Sequence, residues 1–199
     1  ACLAVATKGE IFVRGAIQEH LITFLNTLRR IGGEYEVLED GIRFWRANGL
    51  KSVAVETGTH PGFMTDWQQP TAILLTQAIG NSVIHETVYE ERFNYIKDLN
   101  LMGAKIRVSE DCLGGTPCRF ENLHSLHSAI ISGPTELRSA ELTVPDLRAG
   151  IAHIIAALIA EGESTIRGID EIDRGYEKID ERLKKMGANI TRISSETRH

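Results

Sequence analysis

Two aspartates and three arginines stand where their charge could be put to chemical use. Asp66, in Thr65-Asp66-Trp67-Gln68, and Asp146, in Pro145-Asp146-Leu147-Arg148, each precede an apolar segment that reads as a buried helix. A carboxylate there has two uses. It can cap the free N–H groups of a first helical turn, or it can serve as a general base at the mouth of a site. Spacing leaves both uses open, and Asp66 is the better candidate for the base. It follows the Gly/Pro-rich segment 58–62, GTHPG, and loops on a rigid scaffold are where sites concentrate.

Arg148 falls in the first turn of its apolar helix, while Arg92 and Arg174 take matching places at the expected start of two outer helices. A helix N-terminus favours an anion, and a guanidinium adds a forked donor suited to phosphate or carboxylate. Each arginine could instead pair on the surface with Glu90, Glu91, Asp170 or Asp173, at a gain of only ~0–1 kcal/mol. Three at equivalent helix starts point to an anion cradle. Cys112, Cys118, His124 and His127 follow the spacing C-x5-C-x5-H-x2-H, which matches no ordinary zinc pattern. No metal is expected on that ground, and His60 reads as a loop histidine. The chain has no P-loop, no G-x-G-x-x-G after a strand and no G-x-S-x-G elbow.

The elements that must position these residues come from a sequence said three times, at 9–40, 80–111 and 162–196. Each copy opens on a Gly and a short β-branched run, at 11–13, 82–84 and 164–166, which predicts a strand. A one-faced helix follows, carrying Leu21, Leu25 and Leu28, then Phe93, Ile96 and Leu99, then Ile179, Leu183 and Met186. Gly32, Gly103 and Gly187 end these helices, and an alternating strand is expected after each. Ahead of the second and third copies lie 70–79 (PTAILLTQAI) and 150–160 (GIAHIIAALIA), apolar nearly all round and so expected to be buried.

Before the first copy stands only ACLAVATKG. The chain is therefore expected to open inside a repeat and to be a piece of a longer protein. The unit is strand, buried helix, strand, surface helix, strands. Three units should enclose three buried helices about a pseudo-threefold centre, as one α/β domain over 1–199. Copy one has Leu21 where the others have Arg92 and Arg174, so it reads as scaffold.

The totals agree with a soluble globular domain: 199 residues, 25% charged and 42% hydrophobic. A net charge of −5 argues against a general basic face for nucleic acid while permitting a local cationic pocket. Three cysteines make no disulfide framework and suit a reducing cytoplasm. The longest apolar run, 154–160, is far short of the roughly 20 residues that span a bilayer. No membrane association and no signal segment are expected, and the polar tail 197–199 should fray.

The strings Pro61-Gly62-Phe63-Met64-Thr65-Asp66, Glu86-Thr87-Val88-Tyr89-Glu90-Glu91-Arg92-Phe93, Met102-Gly103-Ala104, Asp146-Leu147-Arg148-Ala149 and Asp173-Arg174-Gly175-Tyr176-Glu177 resemble, in order and over nearly the whole chain, the enolpyruvyl transferases. The PGFMTD and DRGYE strings point within them to the UDP-N-acetylglucosamine 1-carboxyvinyltransferase family rather than to the 5-enolpyruvylshikimate-3-phosphate synthases. The resemblance implies one of two similar inside-out α/β barrels, the one containing the C-terminus, with substrates in the cleft between domains.

It further implies transfer of the enolpyruvyl group of phosphoenolpyruvate to the 3-hydroxyl of UDP-N-acetylglucosamine, the first committed step of peptidoglycan synthesis, with no cofactor. Asp66 would take the hydroxyl proton, and Val88 would touch the sugar nucleotide through its backbone. Arg148 and Arg174 would face phosphoenolpyruvate, with Arg92 nearby in the cationic lining. Asp66 and Arg174 are thus the expected catalytic residues. The family's acid, usually a Cys on a loop of the other domain, and its Lys near the N-terminus have no counterpart here. Cys2, Cys112 and Cys118 fall outside that motif. Trp67-Gln68-Gln69-Pro70 departs from the smaller or more apolar residues common in the family, and is expected to alter the pocket wall. A piece of this kind should be inactive alone. The other readings are a non-catalytic domain that binds sugar nucleotide or a partner, and a shikimate-type transferase.

Overall fold

The computed structural model describes residues 1–115 and 118–193. Its first unit holds helix α1 (Cys2–Ala6), strand β1 (Glu10–Arg14), helix α2 (Ile22–Ile31) and strands β2 (Gly33–Leu38) and β3 (Gly41–Arg46). The second holds β4 (Ala54–Glu56), α3 (Gln68–Leu75), β5 (Gly80–His85), α4 (Ile96–Leu101), β6 (Lys105–Ser109) and β7 (Ser128–Gly133). The third holds β8 (Glu141–Thr143), α5 (Leu147–Ile159), β9 (Thr165–Arg167), α6 (Asp170–Asp173) and α7 (Ile179–Lys185).

Three sheets follow the three units, in orders β1-β3-β2, β4-β5-β7-β6 and β8-β9. In the second and third units the strands flanking the apolar helix pair in parallel, Val55 against Ile84 and Leu142 against Ile166. Parallel strands need a crossover, and α3 and α5 supply it. The remaining ladders are antiparallel.

Helices α1, α3 and α5 pack on one another. Val5, Ala72, Ile73, Leu74, Leu75, Ala152 and Ala156 are fully buried there, and small residues among them let the helix backbones approach closely. The nearly all-round apolar pattern of α3 and α5 is the reason they occupy the centre. Helices α2 and α4 bury one face each, Leu25 and Leu28 on α2 and Ile96 and Leu99 on α4. Gly32, Gly103 and Gly187 all have positive φ, a conformation in which a Cβ is strained.

Four expectations need correction. The apolar helix at 70–79 runs instead from Gln68 to Leu75, and Ile79 beyond it is exposed. Met186 does not share the buried face of α7, where Leu183 alone is buried. The outer helices of copies two and three start later than their apolar spacing suggests. Glu91 (φ +54°) and Lys178 (φ +46°) adopt left-handed backbone and interrupt the helix, so α4 begins at Ile96 and the third copy splits into α6 and α7. Finally, residues 188–193 form no strand among the described residues. The end of the third copy, 194–196, and the tail 197–199 lie outside them.

Candidate active site

The turn that leads into α3 (Thr65–Trp67) presents Asp66 outward, with its side chain two-thirds exposed. Among the described residues no side chain caps α3, so the capping reading fails for Asp66. It holds for Asp146, whose Oδ1 accepts from the N–H groups of Arg148 and Ala149 at 2.8 and 3.0 Å. Asp66 instead meets two arginines. Arg92 Nη2 donates to its Oδ1 at 2.9 Å and Arg148 Nε donates to the same oxygen at 3.0 Å. Two of the expected arginines and the expected base are thus one cluster, drawn from the second and third units.

The two guanidiniums differ. Arg92 is almost fully buried (8% exposed) and its Nε also donates to Thr65 Oγ1 at 3.1 Å, whereas Arg148 is 47% exposed. Arg92 lies in the turns before α4, anchored by buried Phe93 and Tyr95, and so gains nothing from a helix N-terminus. Tyr89 lies beside both, its ring 4.8 Å from Arg92 Cζ and 5.7 Å from Arg148 Cζ, within cation–π range. Tyr176 is close as well: burial, with the Asp66 charge second, raises its pKa.

Arg174 is placed otherwise. It follows the last residue of the short helix α6 and pairs with Glu171 at 2.9 Å, with 72% of its side chain exposed. The expected position at a helix start is therefore corrected for Arg174, and its ion pair is local. Gly175 beside it sits so close to Leu147 that a Cβ there would lie 2.5 Å from Leu147 Cδ1. That close approach seats the Arg174 turn against the residue preceding Arg148. Val88 has both backbone groups occupied, its N–H by Glu86 Oε1 at 2.9 Å and its C=O by Arg119 Nη1 at 3.0 Å.

Glu86 is the residue that sequence reasoning passed over. It is fully buried, and its carboxylate accepts from Thr57 Oγ1, Thr65 Oγ1, Gln68 Nε2 and the N–H groups of Val88 and Tyr89, all between 2.9 and 3.1 Å. A buried carboxylate is tolerable only when hydrogen-bonded in this way. Gln68 Oε1 in turn accepts from Tyr95 at 3.0 Å, and burial raises the Tyr95 pKa, so the phenol stays a donor. The chain of contacts Glu86–Thr65–Arg92–Asp66 therefore ties the exposed carboxylate to the interior. The available signal was a Glu directly after the strand run Val83-Ile84-His85, where a charge at the end of a buried strand must be either paired or functional.

The Trp67–Pro70 departure divides between scaffold and network. Trp67 packs on Phe24 and Phe63, with ring centroids 5.6 and 5.4 Å apart, and Gln68 joins Glu86. A cavity of about 20 Å³ lies behind Arg92, lined by Gln69, Tyr95, Asp146 and Ala149 among others, room for about one water. A larger open hollow of about 480 Å³ lies along Asn81, Lys105, Arg107 and Ser132 and touches none of the cluster.

Fold and cluster together define an α/β domain of repeated strand–helix–strand units whose mouth presents one accessible carboxylate between two guanidiniums. The chain belongs to the EPSP synthase (3-phosphoshikimate 1-carboxyvinyltransferase) family, whose model matches residues 1–183. It is 50% identical, over 97% of its length, to a UDP-N-acetylglucosamine 1-carboxyvinyltransferase of Protochlamydia amoebophila, and covers 42% of that relative. It is 49% identical, over 94% of its length, to the protein of the same name from Chlamydia trachomatis serovar D, covering 43% of it. The chain thus spans less than half the length of these relatives. Among solved structures, the enolpyruvyl transferase NikO from Streptomyces tendae superposes with a TM-score of 0.79 at 25% identity, over 96% of this chain and 42% of that one. No helix among the described residues is long and apolar enough to cross a membrane.

Proposed function

We propose that this chain is one of two domains of a cytoplasmic enolpyruvyl transferase that joins phosphoenolpyruvate to the 3-hydroxyl of UDP-N-acetylglucosamine and releases phosphate, a step toward peptidoglycan. The observation that carries the proposal is the accessible Asp66 carboxylate held through one oxygen by Arg92 and Arg148. Relatives named for this reaction at 49–50% identity support the choice of substrates. The three units form an inside-out barrel around α1, α3 and α5, which sets the turn before α3 and the first turn of α5 side by side at one end.

The roles follow from charge. With Oδ1 held by the arginines, Asp66 offers its second oxygen to the sugar hydroxyl and takes the proton as the hydroxyl oxygen adds to C2 of phosphoenolpyruvate. The methylene carbon takes a proton from an acid on the other domain, and the tetrahedral intermediate then returns one methyl proton to a base as phosphate leaves C2, which restores the C=C bond of the enolpyruvyl group. Arg148, half exposed, reaches the phosphate or carboxylate of phosphoenolpyruvate, and Arg174 flanks it from the turn after α6. Arg92 holds Asp66 in place and adds positive charge. Such fixed cations are worth most where charge develops in the transition state. Val88, its N–H held by Glu86, presents the second lone pair of its carbonyl oxygen to the sugar nucleotide.

The test is substrate choice by the full-length protein. Phosphate is released from phosphoenolpyruvate with UDP-N-acetylglucosamine and not with shikimate 3-phosphate, and this chain alone releases none. The opposite substrate preference, or turnover by the chain alone, contradicts the proposal.

A further inference from the structure

We propose that His85, Cys112, Cys118 and His127 form a four-coordinate site for a divalent metal of the zinc class, which clamps the end of β5 to the loop that carries Arg119. The β5–β7 register creates the juxtaposition. His85 is the last residue of β5 and pairs with Ser128, the first of β7, so His127 lies next to it. The two imidazole centroids are 5.1 Å apart. The segment after β6 folds back over them and brings both cysteines. A ring nitrogen of each histidine and Cys118 Sγ lie within 4.8 Å of one another. Cys112 Sγ stands 3.3 Å from His127 Nε2 and hydrogen-bonds Cys118.

Hydrogen bonding fixes which nitrogens face inward. His127 Nδ1 is 2.6 Å from the carbonyl oxygen of Ser125. A carbonyl only accepts, so Nδ1 carries the proton and Nε2 presents a lone pair. The Ser128 hydroxyl gives its one proton to the Asp111 carbonyl at 2.6 Å. It must then accept from His85 Nδ1 at 2.9 Å, which leaves His85 Nε2 as a bare lone pair. That atom is buried and without a hydrogen-bond partner among the described residues, in a residue only 1% exposed. An unmatched buried acceptor costs roughly 1–3 kcal/mol, and a metal ligated at Nε2 removes that cost.

The surroundings are those of ligands. Metal-bound histidines generally donate their other ring N–H to a fixed oxygen, as both do here. The Phe120 N–H points at Cys118 Sγ, 3.4 Å away. Gly114 passes directly over His85, where a Cβ would lie 2.2 Å from Cδ2, and the N–H of Gly115 is held by Glu56 Oε2 at 2.9 Å. Zinc–nitrogen and zinc–sulfur bonds of ~2.0–2.3 Å set tetrahedral ligands roughly 3.3–3.8 Å apart. Atoms spread over as much as 4.8 Å must draw together by up to about 1 Å to reach that spacing, and Cys112, outside that group of three, must swing in from its place beside His127 Nε2. Two thiolates and two imidazoles suit zinc rather than an oxygen-seeking cation, and binding releases the two thiol protons to solvent.

The simple spacing test missed this site because it assumed four ligands in one segment. His124, counted there, is 92% exposed and faces Glu110, whereas His85 arrives from another strand. The loop so clamped holds Arg119, which donates to Val88 O at 3.0 Å and pairs with Glu90 at 2.7 Å.

The experiment is metal analysis of tag-free full-length protein, purified under reducing conditions, incubated with zinc and dialysed. About one zinc per chain is expected, falling to background in Cys118→Ser and His127→Gln. Apoprotein titrated with cobalt should show thiolate-to-metal charge transfer and the intense visible bands of a tetrahedral centre, a readout on wild-type protein that stands if the variants do not fold. Background zinc in the wild type, unchanged zinc in folded variants, or cobalt binding without thiolate bands overturns the site.

Discussion

Arg148, in the first turn of α5, donates to Asp66, in the turn that opens α3, at 3.0 Å and across 82 residues of sequence. This one contact joins the third repeated unit to the second at the mouth of the domain. Asp146, two residues earlier, is spent on capping the same helix. The two aspartates that look alike in sequence therefore part company, and the arginine between them explains why. Arg148 takes its position from a helix whose start Asp146 fixes, and then reaches across to the aspartate that is not a cap.

Lysine replacements should separate the two arginines. Arg92→Lys cannot serve both Thr65 Oγ1 and Asp66 Oδ1 in the same geometry, so it should lower kcat and loosen the fold together. Arg148→Lys should mainly raise KM for phosphoenolpyruvate, by roughly tenfold, about the value of one charge-assisted hydrogen bond. Steady-state kinetics on both variants, with a denaturant melt beside them, checks the split.

Glu86→Gln keeps the shape of the buried hub but replaces an acceptor by an amide NH2 facing donors. At least two of the five hydrogen bonds are lost, and a loss of about 2–4 kcal/mol of unfolding free energy is expected. Urea denaturation of wild type and variant measures it. A change within experimental error would mean that the network does not hold the mouth together.

His153 gives the fold an acid-side dependence. It is fully buried on α5, 3.0 Å from Asp98 on α4. Burial lowers its pKa, with Lys97 acting in the same direction and Asp98 and Asp146 opposing. A histidine held below its unfolded value of ~6.5 stabilises the fold fully above that pH. The contribution fades as pH falls through that value toward the folded pKa, by at most ~1.4 kcal/mol per unit. His153→Gln should flatten the fall in urea midpoint between pH 7.5 and 5.5; a slope equal to the wild type would contradict this.

Much of the scaffold was legible because it rests on periodicity. The apolar runs before copies two and three did become central helices, and all three helix-ending glycines have positive φ. Outer-helix starts were not legible, since backbone at Glu91 and Lys178 overrides the apolar spacing around them. Asp66, Arg92 and Arg148 could be named individually from type and place, but their convergence on one oxygen is a property of packing between units. Glu86 went unread because its meaning depends on five donors from scattered positions. His85 was equally silent, because only strand register shows what stands beside it.

The most direct test replaces the carboxylate while keeping its shape. In the full-length protein, Asp66→Asn should retain binding of UDP-N-acetylglucosamine and phosphoenolpyruvate but lower kcat for phosphate release by at least ~10²-fold, the scale of a general-base contribution. Turnover near the wild-type rate would show that Asp66, for all its arginine contacts, is not the base.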